Sequence, residues 1–363
     1  MRCAIVGSGL AALAAHATLR HAGVPAEEIA VFGTHEDPTD VWRVRAASIR
    51  QQRMRSESDG HLAPAAFPGL AVREAARRRM VRPLLETAAS RYHPTVGDFL
   101  AHAGRVAERC GWAASFRRAR VARVAAVEGG FELDGEGPFA HVLVATGHPG
   151  LYRPREYPHA VHAYEPHEYA ARVAVVGAGM AAATEWLNAL AAGSEVVSIR
   201  RREPVRRPLN VPRPLFTKRG LPAFHRLPPE RRASFLRAID QPSYPPGRAW
   251  DDPLERAMAE GRFSGSDPGQ TPSREVQVIC ATGFLRGWQH DMLLSAIVRD
   301  HDLPTHGRWI VLDADGSVPA LTDARRTLAL AGVAAQWAFP AADTIAGAKY
   351  VARAFARRVC RTR

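Results

Sequence analysis

The strongest constraint on this chain is a glycine turn that occurs twice, each time after a short apolar run and before an alanine-rich segment. Residues 7–12 read Gly-Ser-Gly-Leu-Ala-Ala after the apolar residues 3–6, and residues 177–182 read Gly-Ala-Gly-Met-Ala-Ala after residues 172–176. A short apolar run followed by a longer alanine-rich segment is typical of a buried strand that leads into a helix. The repeat predicts an α/β chain with two Rossmann-like dinucleotide-binding units.

Three positions of each turn have separate roles. The first glycine permits the tight bend, the second lets the backbone approach a pyrophosphate, and the small third residue allows close helix–strand packing. The helix N-terminus that follows offers free N–H groups and a positive dipole end to phosphates. The predicted cofactor-binding residues in these roles are Gly7, Gly9 and Ala12 in the first turn and Gly177, Gly179 and Ala182 in the second.

The residue at the end of the next strand discriminates between dinucleotides. In the first unit Gly33 stands where an acid that binds the ribose is expected, and Glu36 is a candidate substitute. In the second unit the strand 195–199 runs into Arg200 and Arg201, whose guanidinium groups suit the 2′-phosphate of NADPH. A solvent-exposed run of arginines is the alternative for the second unit.

A polar stretch, residues 42–69, follows the first unit's second strand and is predicted to be a loop. It contains Arg55, Ser56, Asp59 and His61, which could transfer protons or bind a polar substrate. These four are the candidate catalytic residues. An ordinary hydrogen-bonded loop is the equally weighted alternative.

Other segments carry clear structural signals. A helix is predicted to start at the cap Thr95 and to end at Gly111, and strands are predicted over 119–127 and 131–133, joined as a hairpin. Residues 204–272 hold 13 of the 27 prolines, so this stretch is predicted to form no regular parallel sheet, with helices near 229–239 and 253–260. A final helix is predicted over 345–359, with Asp343 or Thr344 as its N-cap.

Composition narrows the function classes. The net charge is +13, but the only lysines are Lys218 and Lys349, a bias towards arginine that indicates amino-acid usage rather than a nucleic-acid partner. The four cysteines form no C-x-x-C pair, which excludes dithiol chemistry and predicts a reducing, cytoplasmic compartment. No His or Cys spacing indicates a metal site, and no apolar run predicts a membrane span.

Residues 145–148 (Ala-Thr-Gly-His) and 281–284 (Ala-Thr-Gly-Phe) each follow a predicted buried strand. Together with the two glycine turns, they make residues 1–359, apart from the proline-rich stretch, resemble the flavin-containing monooxygenase group and related flavoproteins with two dinucleotide-binding domains. The resemblance is specific for the architecture and much less so for the reaction. The Gly-Gly-x-Trp element of that group keeps only Trp42, and its F-x-G-x-x-x-H hinge is degraded.

The resemblance implies an NADPH-binding domain, residues 166–286, inserted into an FAD-binding domain formed by residues 1–165 and 287–363. Residues 204–272 would elaborate the NADPH domain, and residues 152–169 would form the hinge. Both Ala-Thr-Gly segments would lie at the domain crossovers, and the final helix would point its N-terminus at the flavin ring. The further cofactor-binding residues implied are Trp42, Thr146, Gly147, Thr282, Gly283, Asp343 and Thr344.

The function implied is that of an FAD- and NADPH-dependent monooxygenase. A flavin C4a-hydroperoxide formed with O₂ would transfer one oxygen to a small amine or sulfide. One alternative is an FAD-dependent NAD(P)H oxidoreductase that inserts no oxygen, and another is a basic nucleic-acid-binding or cofactor-sensing protein without turnover. The substrate and the oligomeric state, a homodimer included, stay open.

Overall fold

A computed structural model describes residues 2–54, 69–88, 92–207, 211–216, 219–266, 273 and 275–361. The candidate catalytic residues Arg55, Ser56, Asp59 and His61 lie outside the described residues.

The described strands and helices follow each other in runs along the chain. The strands are β1 (Cys3–Val6), β2 (Ile29–Gly33), β3 (Phe116–Arg118), β4 (Val124–Val127), β5 (Gly130–Leu133), β6 (Glu136–Phe139), β7 (His141–Val144), β8 (Val161–His162), β9 (Arg172–Val176), β10 (Glu195–Ile199), β11 (Val205–Arg206), β12 (Ser243–Tyr244), β13 (Phe263–Ser266), β14 (Gln277–Cys280), β15 (Thr305–His306), β16 (Trp309–Ile310) and β17 (Thr327–Leu330). The α-helices are α1 (Leu10–His21), α2 (Asp40–Ser48), α3 (Gly69–Arg78), α4 (Arg82–Ala88), α5 (Val96–Cys110), α6 (Trp112–Ser115), α7 (Met180–Ala191), α8 (Gly220–His225), α9 (Pro229–Ile239), α10 (Arg248–Ala259), α11 (Met292–Asp300) and α12 (Ile345–Arg361).

Two parallel five-stranded sheets carry these elements, which confirms the predicted α/β class. The first sheet has the order β17-β7-β1-β2-β3 and the second β13-β10-β9-β14-β8. In sequence, every strand of the second sheet lies between β7 and β17 of the first. Smaller sheets are the antiparallel β4-β5-β6, the parallel pair β11-β12 and the antiparallel pair β15-β16.

The core of the first sheet follows from its composition. Strands β1, β2, β7 and β17 are buried along their whole length, as expected of parallel strands covered on both faces. Helices α1 and α12 pack against each other. The predicted buried face of α12 is confirmed, because Ala348, Val351, Ala352 and Phe355 are buried, while Ile345 is half-buried.

Helix α5 confirms the predicted signals at both of its ends. The Thr95 hydroxyl accepts a hydrogen bond from the Asp98 amide at 3.1 Å, and Gly111 adopts the left-handed conformation that ends the helix.

Two predictions, one for a segment before α5 and one for a segment after it, are corrected by the structure. The prediction of a loop over 42–69 is wrong for residues 42–48, which belong to α2. Asp37 accepts hydrogen bonds from the Thr39 amide and hydroxyl and fixes the entry to this helix. The strand predicted over 119–127 exists only as β4, and β6 was not predicted. The predicted hairpin between β4 and β5 is confirmed.

The proline-rich stretch is more regular than predicted. Helix α9 has the predicted bounds, but α10 begins earlier than predicted, at Arg248. The prediction of no regular parallel sheet is wrong for β13, which pairs with β10 and contains no proline. Phe224 and Leu236 join the core around the first sheet, whereas Leu254 joins the core around the second. None of the helices in the described ranges is both long and apolar enough to cross a membrane.

Candidate functional site

The first glycine of each turn lies against the Ala-Thr-Gly segment of the neighbouring strand. Gly7 has φ +116°, and a Cβ there would lie 2.2 Å from the Ala145 carbonyl oxygen. Gly177 has φ +139°, and its Cβ would lie 2.5 Å from the Ala281 carbonyl oxygen. The two motifs therefore occur together because the bend after one strand packs directly on the end of the next.

The second glycine of each turn leaves a surface for a ligand. Among the described residues, a Cβ at Gly9 would meet nothing within 4 Å, and one at Gly179 would lie 3.7 Å from Pro242 Cβ. Gly9 and Gly179 are the N-caps of α1 and α7, and neither helix has a side-chain cap. The first N–H groups of both helices are thus available to phosphate oxygens. The first turn is the more open of the two.

The missing acid at the end of β2 has a steric cause. A Cβ at Gly33 would lie 2.2 Å from Ser8 Oγ, and that hydroxyl accepts a hydrogen bond from the His35 amide at 3.3 Å. Ser8 therefore occupies the space that a side chain at Gly33 would need. The Glu36 carboxylate is mostly exposed and lies 3.8 Å from Arg118.

The arginines after β10 differ in their surroundings. Arg200 is 19% exposed in its side chain, lies against Gly265 of β13 and pairs with Glu203 at 2.9 Å. Arg201 and Arg202 are exposed. The predicted pair for the 2′-phosphate thus lies at the carboxyl end of the second sheet, where such a ligand is expected.

The two Ala-Thr-Gly segments lead into chain segments that bind each other. The Tyr152 amide donates to the Gly283 carbonyl at 3.0 Å, and the Leu285 amide donates to the Gly150 carbonyl at 2.9 Å. The Thr282 hydroxyl donates to the Tyr152 carbonyl. Because these bonds join the segments that leave β7 and β14, they fix one sheet relative to the other.

Thr146 anchors a further element. Its hydroxyl donates to Asp291 Oδ2 at 2.7 Å, and Asp291 Oδ1 caps α11 by accepting from the Leu294 amide at 3.0 Å. The Thr282 hydroxyl therefore joins the two crossover segments, and the Thr146 hydroxyl joins the first of them to the start of α11.

An aromatic stack covers this junction. The rings of His148 and Phe284 are 4.4 Å apart and nearly parallel, Tyr164 stacks on Phe284 at 4.9 Å, and the Arg45 guanidinium lies 4.5 Å from the Phe284 centroid. Burial, with the nearby charges of Arg286 and Arg45, lowers the pKa of His148 to about 3. His148 is therefore a neutral stacking ring at physiological pH. Nothing in the sequence signalled this stack beyond the matched positions of His148 and Phe284.

Trp42 and the residues at the N-terminus of α12 make contacts that stabilise the fold. Trp42 lies on α2 and packs edge-on against Phe99 at 5.4 Å. Thr344 caps α12, because its hydroxyl accepts from the Gly347 amide at 2.9 Å. Asp343 lies 3.4 Å from Arg286. Burial raises the pKa of Asp343, and Arg286 opposes that rise.

A cleft next to Gly147 and the start of α11 was not predicted from the sequence. Asp240, at the end of α9, accepts from Arg286 at 2.6 Å, from Gln336 at 3.3 Å and from Arg308. No periodic or motif signal marks these residues, since they come from four separate segments. The cleft is lined by Gly147, Pro149, Arg286, Gly287, Trp288, Asp291, Leu294, Arg308, Trp309, Ile310, Val333, Ala334 and Gln336.

A buried polar group joins the segment before β9 to α7. Glu185 is fully buried and accepts from Tyr169 at 2.9 Å, and its Oε2 lies 3.0 Å from His167 Nε2. Burial lowers the pKa of His167, but its hydrogen bonds to Glu185 and to the Glu165 carbonyl, together with the charge of Glu185, raise the net pKa. The raised pKa therefore favours the protonated imidazole beside the buried Glu185 side chain.

The described residues contain no group of His, Cys, Asp and Glu side chains that could hold a metal ion.

The comparison with solved structures identifies the fold. Ornithine hydroxylase from Pseudomonas aeruginosa matches with a TM-score of 0.68 and 16% identity, over 98% of this chain and 99% of that chain. L-lysine 6-monooxygenase from Pseudomonas syringae matches with a TM-score of 0.71 and 15% identity, over 99% of both chains. Bacillithiol disulfide reductase from Bacillus cereus matches with a TM-score of 0.63 and 15% identity, over 99% of this chain and 98% of that chain.

No protein-family model and no curated protein matches the sequence. At these identities the structural matches establish the fold. The architecture implied by the resemblance to the flavin-containing monooxygenase group is confirmed at that level, and the chain has the fold that these hydroxylases, monooxygenases and the disulfide reductase share.

Proposed function

We propose that the chain is an oxidoreductase that binds FAD at the first glycine turn and NADPH at the second. The observation that carries this proposal is the paired geometry of the two sheets, each with an open helix N-terminus behind a glycine turn packed on an Ala-Thr-Gly segment. Solved structures of the same fold support it, since one is an ornithine N-hydroxylase with reduced FAD and NADP⁺ and another is a cadaverine monooxygenase bound to FAD. The proposed domains are residues 1–165 with 287–363 for FAD and 166–286 for NADPH.

The residues present fit these cofactors. The open space at Gly9 and the free N–H groups of α1 would hold the FAD pyrophosphate, and the corresponding groups of α7 would hold that of NADPH. The N-terminus of α12 would place its dipole near the flavin, with Asp343 and Thr344 beside it. When bound, FAD supplies the redox chemistry with NADPH and O₂. The protein binds the two cofactors, orients them and excludes water.

We further propose that the reaction is monooxygenation of a small amine or sulfide. The ornithine and lysine enzymes with this fold favour that reaction. The alternative is electron transfer from NAD(P)H without oxygen insertion. Its support is that a disulfide reductase has the same fold, although the four cysteines here form no C-x-x-C pair.

Rapid mixing separates the two reactions. The protein is reduced with NADPH without oxygen and then mixed with O₂, while absorbance and hydrogen peroxide are recorded. For a monooxygenase we expect a transient absorbance band distinct from reduced and oxidised flavin, with little peroxide once a substrate is present. Direct return of the oxidised spectrum, with one peroxide per NADPH at all substrate concentrations, would instead establish the alternative.

The double variant Arg200→Ala/Arg201→Ala tests the NADPH assignment. Loss of two charge-assisted hydrogen bonds to a 2′-phosphate should lower kcat/KM for NADPH roughly a hundredfold and that for NADH only a few-fold. Steady-state oxidation of both nucleotides measures the ratio. Arg172→Ala is the matched control, because Arg172 begins β9 at the opposite end of the same sheet. Equal losses for NADPH and NADH would count against recognition of the 2′-phosphate.

A further inference from the structure

Helices α3 and α4 expose a concentration of apolar side chains. The two helices pack against each other and are joined by residues 79–81. Of the eleven large apolar side chains that the described residues expose, five lie here: Val72, Met80, Val81, Leu84 and Leu85. Val81 is 70% exposed and Leu85 is 66% exposed. Apolar side chains exposed singly are ordinary, whereas a group of them marks an interaction surface.

The backbone brings three of these side chains to one helical turn. The amides of Leu84 and Leu85 both donate to the Val81 carbonyl, at 3.0 and 3.2 Å. Side chains three and four positions apart on such a turn lie on the same side of it. Val81, Leu84 and Leu85 therefore form one exposed apolar surface, which we call the α4 tip.

The other side of the helix pair is fixed to the rest of the protein. Leu70 is buried with Tyr92, and the Tyr92 hydroxyl donates to the Glu74 carboxylate at 2.7 Å. Arg77 donates to both carboxylate oxygens of Asp98 on α5, at 2.8 and 2.9 Å. These contacts hold the pair in place without the α4 tip, so the side chains of the tip are available to a partner.

Arginines accompany the α4 tip. Residues 70–86 contain five arginines and two acids. Glu74 pairs with Arg78 at 3.1 Å and Glu86 pairs with Arg82 at 2.7 Å, which leaves the segment with a surplus of positive charge. The surface around the tip therefore attracts an anionic partner.

The neighbouring helix α5 extends this positive charge. Burial lowers the pKa of Arg105 on α5, and the charges of Arg73 and Arg109 lower it further. Asp98 and Glu108 offset this lowering only in part. Two copies of such a surface would repel each other, so the charge argues against a second copy of this chain as the occupant.

The chemistry of the α4 tip favours a lipid surface over an acidic protein. Its side chains are aliphatic, and valine and leucine are under-represented among the residues that dominate protein–protein binding. Aliphatic side chains beside arginines are instead typical of segments that lie at the boundary between lipid headgroups and acyl chains. Arginine can lay its aliphatic stem along that boundary and keep its guanidinium group among the phosphates.

We propose that the α3–α4 pair docks on an anionic lipid bilayer, with Val81, Leu84 and Leu85 at the headgroup boundary and Arg73 and Arg79 against lipid phosphates. The protein lies on the bilayer and does not span it. This docking goes beyond the proposed oxidation and requires neither cofactor.

Sedimentation with vesicles tests the proposal on the whole chain. The purified protein is mixed with vesicles of phosphatidylcholine alone or of phosphatidylcholine with phosphatidylglycerol, and the bound fraction is measured over a range of lipid concentrations. We expect the mixed vesicles to bind at least about tenfold more tightly, and added NaCl to weaken that binding. Equal binding to both kinds of vesicle, or no binding to either, would overturn the proposal.

The apolar positions decide the test, because a net charge of +13 would by itself attract anionic vesicles. Val81→Ser/Leu85→Ser keeps every charge and should weaken binding to the mixed vesicles at least about tenfold. Met258→Ser is the matched control, since Met258 is an exposed apolar side chain of α10. Full binding by the double variant would show that charge alone attracts the protein, and docking through the α4 tip would be wrong.

A second double variant tests the arginines. Arg73→Gln/Arg79→Gln should weaken binding to the mixed vesicles about tenfold. Arg231→Gln/Arg256→Gln removes the same charge from exposed positions of α9 and α10, and should change the binding little. Equal losses for the two double variants would contradict the assignment of Arg73 and Arg79 to lipid phosphates.

Measurements without lipid separate folding and self-association from docking. The melting temperature of each variant shows whether it folds, and the comparison of the two kinds of vesicle on the unaltered protein stands without any variant. If Val81→Ser/Leu85→Ser changes the sedimentation of the protein without lipid, the α4 tip joins two copies of the chain and the lipid proposal is wrong. Flavin uptake is measured separately, so its failure would leave the docking standing.

Discussion

Replacing Gly7 by alanine should destabilise the protein by about 3 kcal/mol or more, while replacing Gly9 should leave the stability within about 1 kcal/mol of the original. The contrast arises because a Cβ at Gly7 would lie 2.2 Å from the Ala145 carbonyl oxygen at φ +116°, whereas a Cβ at Gly9 would meet no atom of the part of the chain that the structure describes within 4 Å. The two substitutions change the sequence equally and lie two residues apart. Comparing the two variants therefore separates the role of the turn in packing from its role in binding a ligand.

Flavin content gives the second readout of the same pair. A methyl group at Gly9 would project into the space that a pyrophosphate needs, so Gly9→Ala should fold but bind FAD at least tenfold more weakly. Thermal unfolding measures the first effect, and titration with FAD measures the second. If Gly9→Ala were as unstable as Gly7→Ala, the open space at Gly9 would be wrong; if it bound FAD normally, the first turn would not be the pyrophosphate site.

The fold could be predicted because its determinants are local and repeated. Each glycine turn stands directly between a strand and a helix, and each Ala-Thr-Gly segment ends a neighbouring strand of the same sheet. The helix caps Thr95 and Thr344 were predictable for the same reason, since a cap acts on an amide two or three residues away.

The cleft could not be predicted because its determinants are not local. Arg286, Arg308 and Gln336 meet Asp240 from segments up to 96 positions apart in the sequence. Strand β13 escaped prediction for a different reason. The prolines around it dominate the local composition, yet the four strand residues themselves contain none and pair with β10.

The missing acid after β2 shows how one contact can alter a motif. The pattern expects a carboxylate at Gly33, but Ser8 in the first turn already fills that space. Only the structure connects these two positions. Of the three departures seen from the sequence, this one has a structural cause.

Replacing Glu185 by leucine should destabilise the protein by roughly 3–5 kcal/mol at pH 6, because it leaves the buried His167 without its partner. The side chains of Glu185 and His167 are 0% and 3% exposed, so solvent screens the pair little. Glu185→Gln should cost less, since the amide oxygen can still accept from Tyr169. Glu168→Gln is the matched control, because the Glu168 carboxylate is 93% exposed.

The pH dependence identifies the ion pair. The pKa of His167 is raised in the folded protein, because burial lowers it less than Glu185 and the Glu165 carbonyl together raise it. Its stabilising contribution is therefore complete below the unfolded value of about 6.5 and is lost as the pH rises through the folded pKa. Burial lowers the pKa of other histidines, so their contributions are lost instead as the pH falls. These are His16, His102, His141 and His162, with pKa values of about 4, and His148 with about 3.

The other histidines contribute equally to the unfolding free energies of the original protein and of Glu185→Gln. Their contributions therefore cancel in the difference between the two. That difference should be largest below about pH 6.5 and should shrink as the pH rises further. Urea denaturation at pH 5.5 to 9 measures it. A difference that stays constant over this range would show that His167 is uncharged in the folded protein, and that Glu185 joins α7 to the crossover by hydrogen bonding alone.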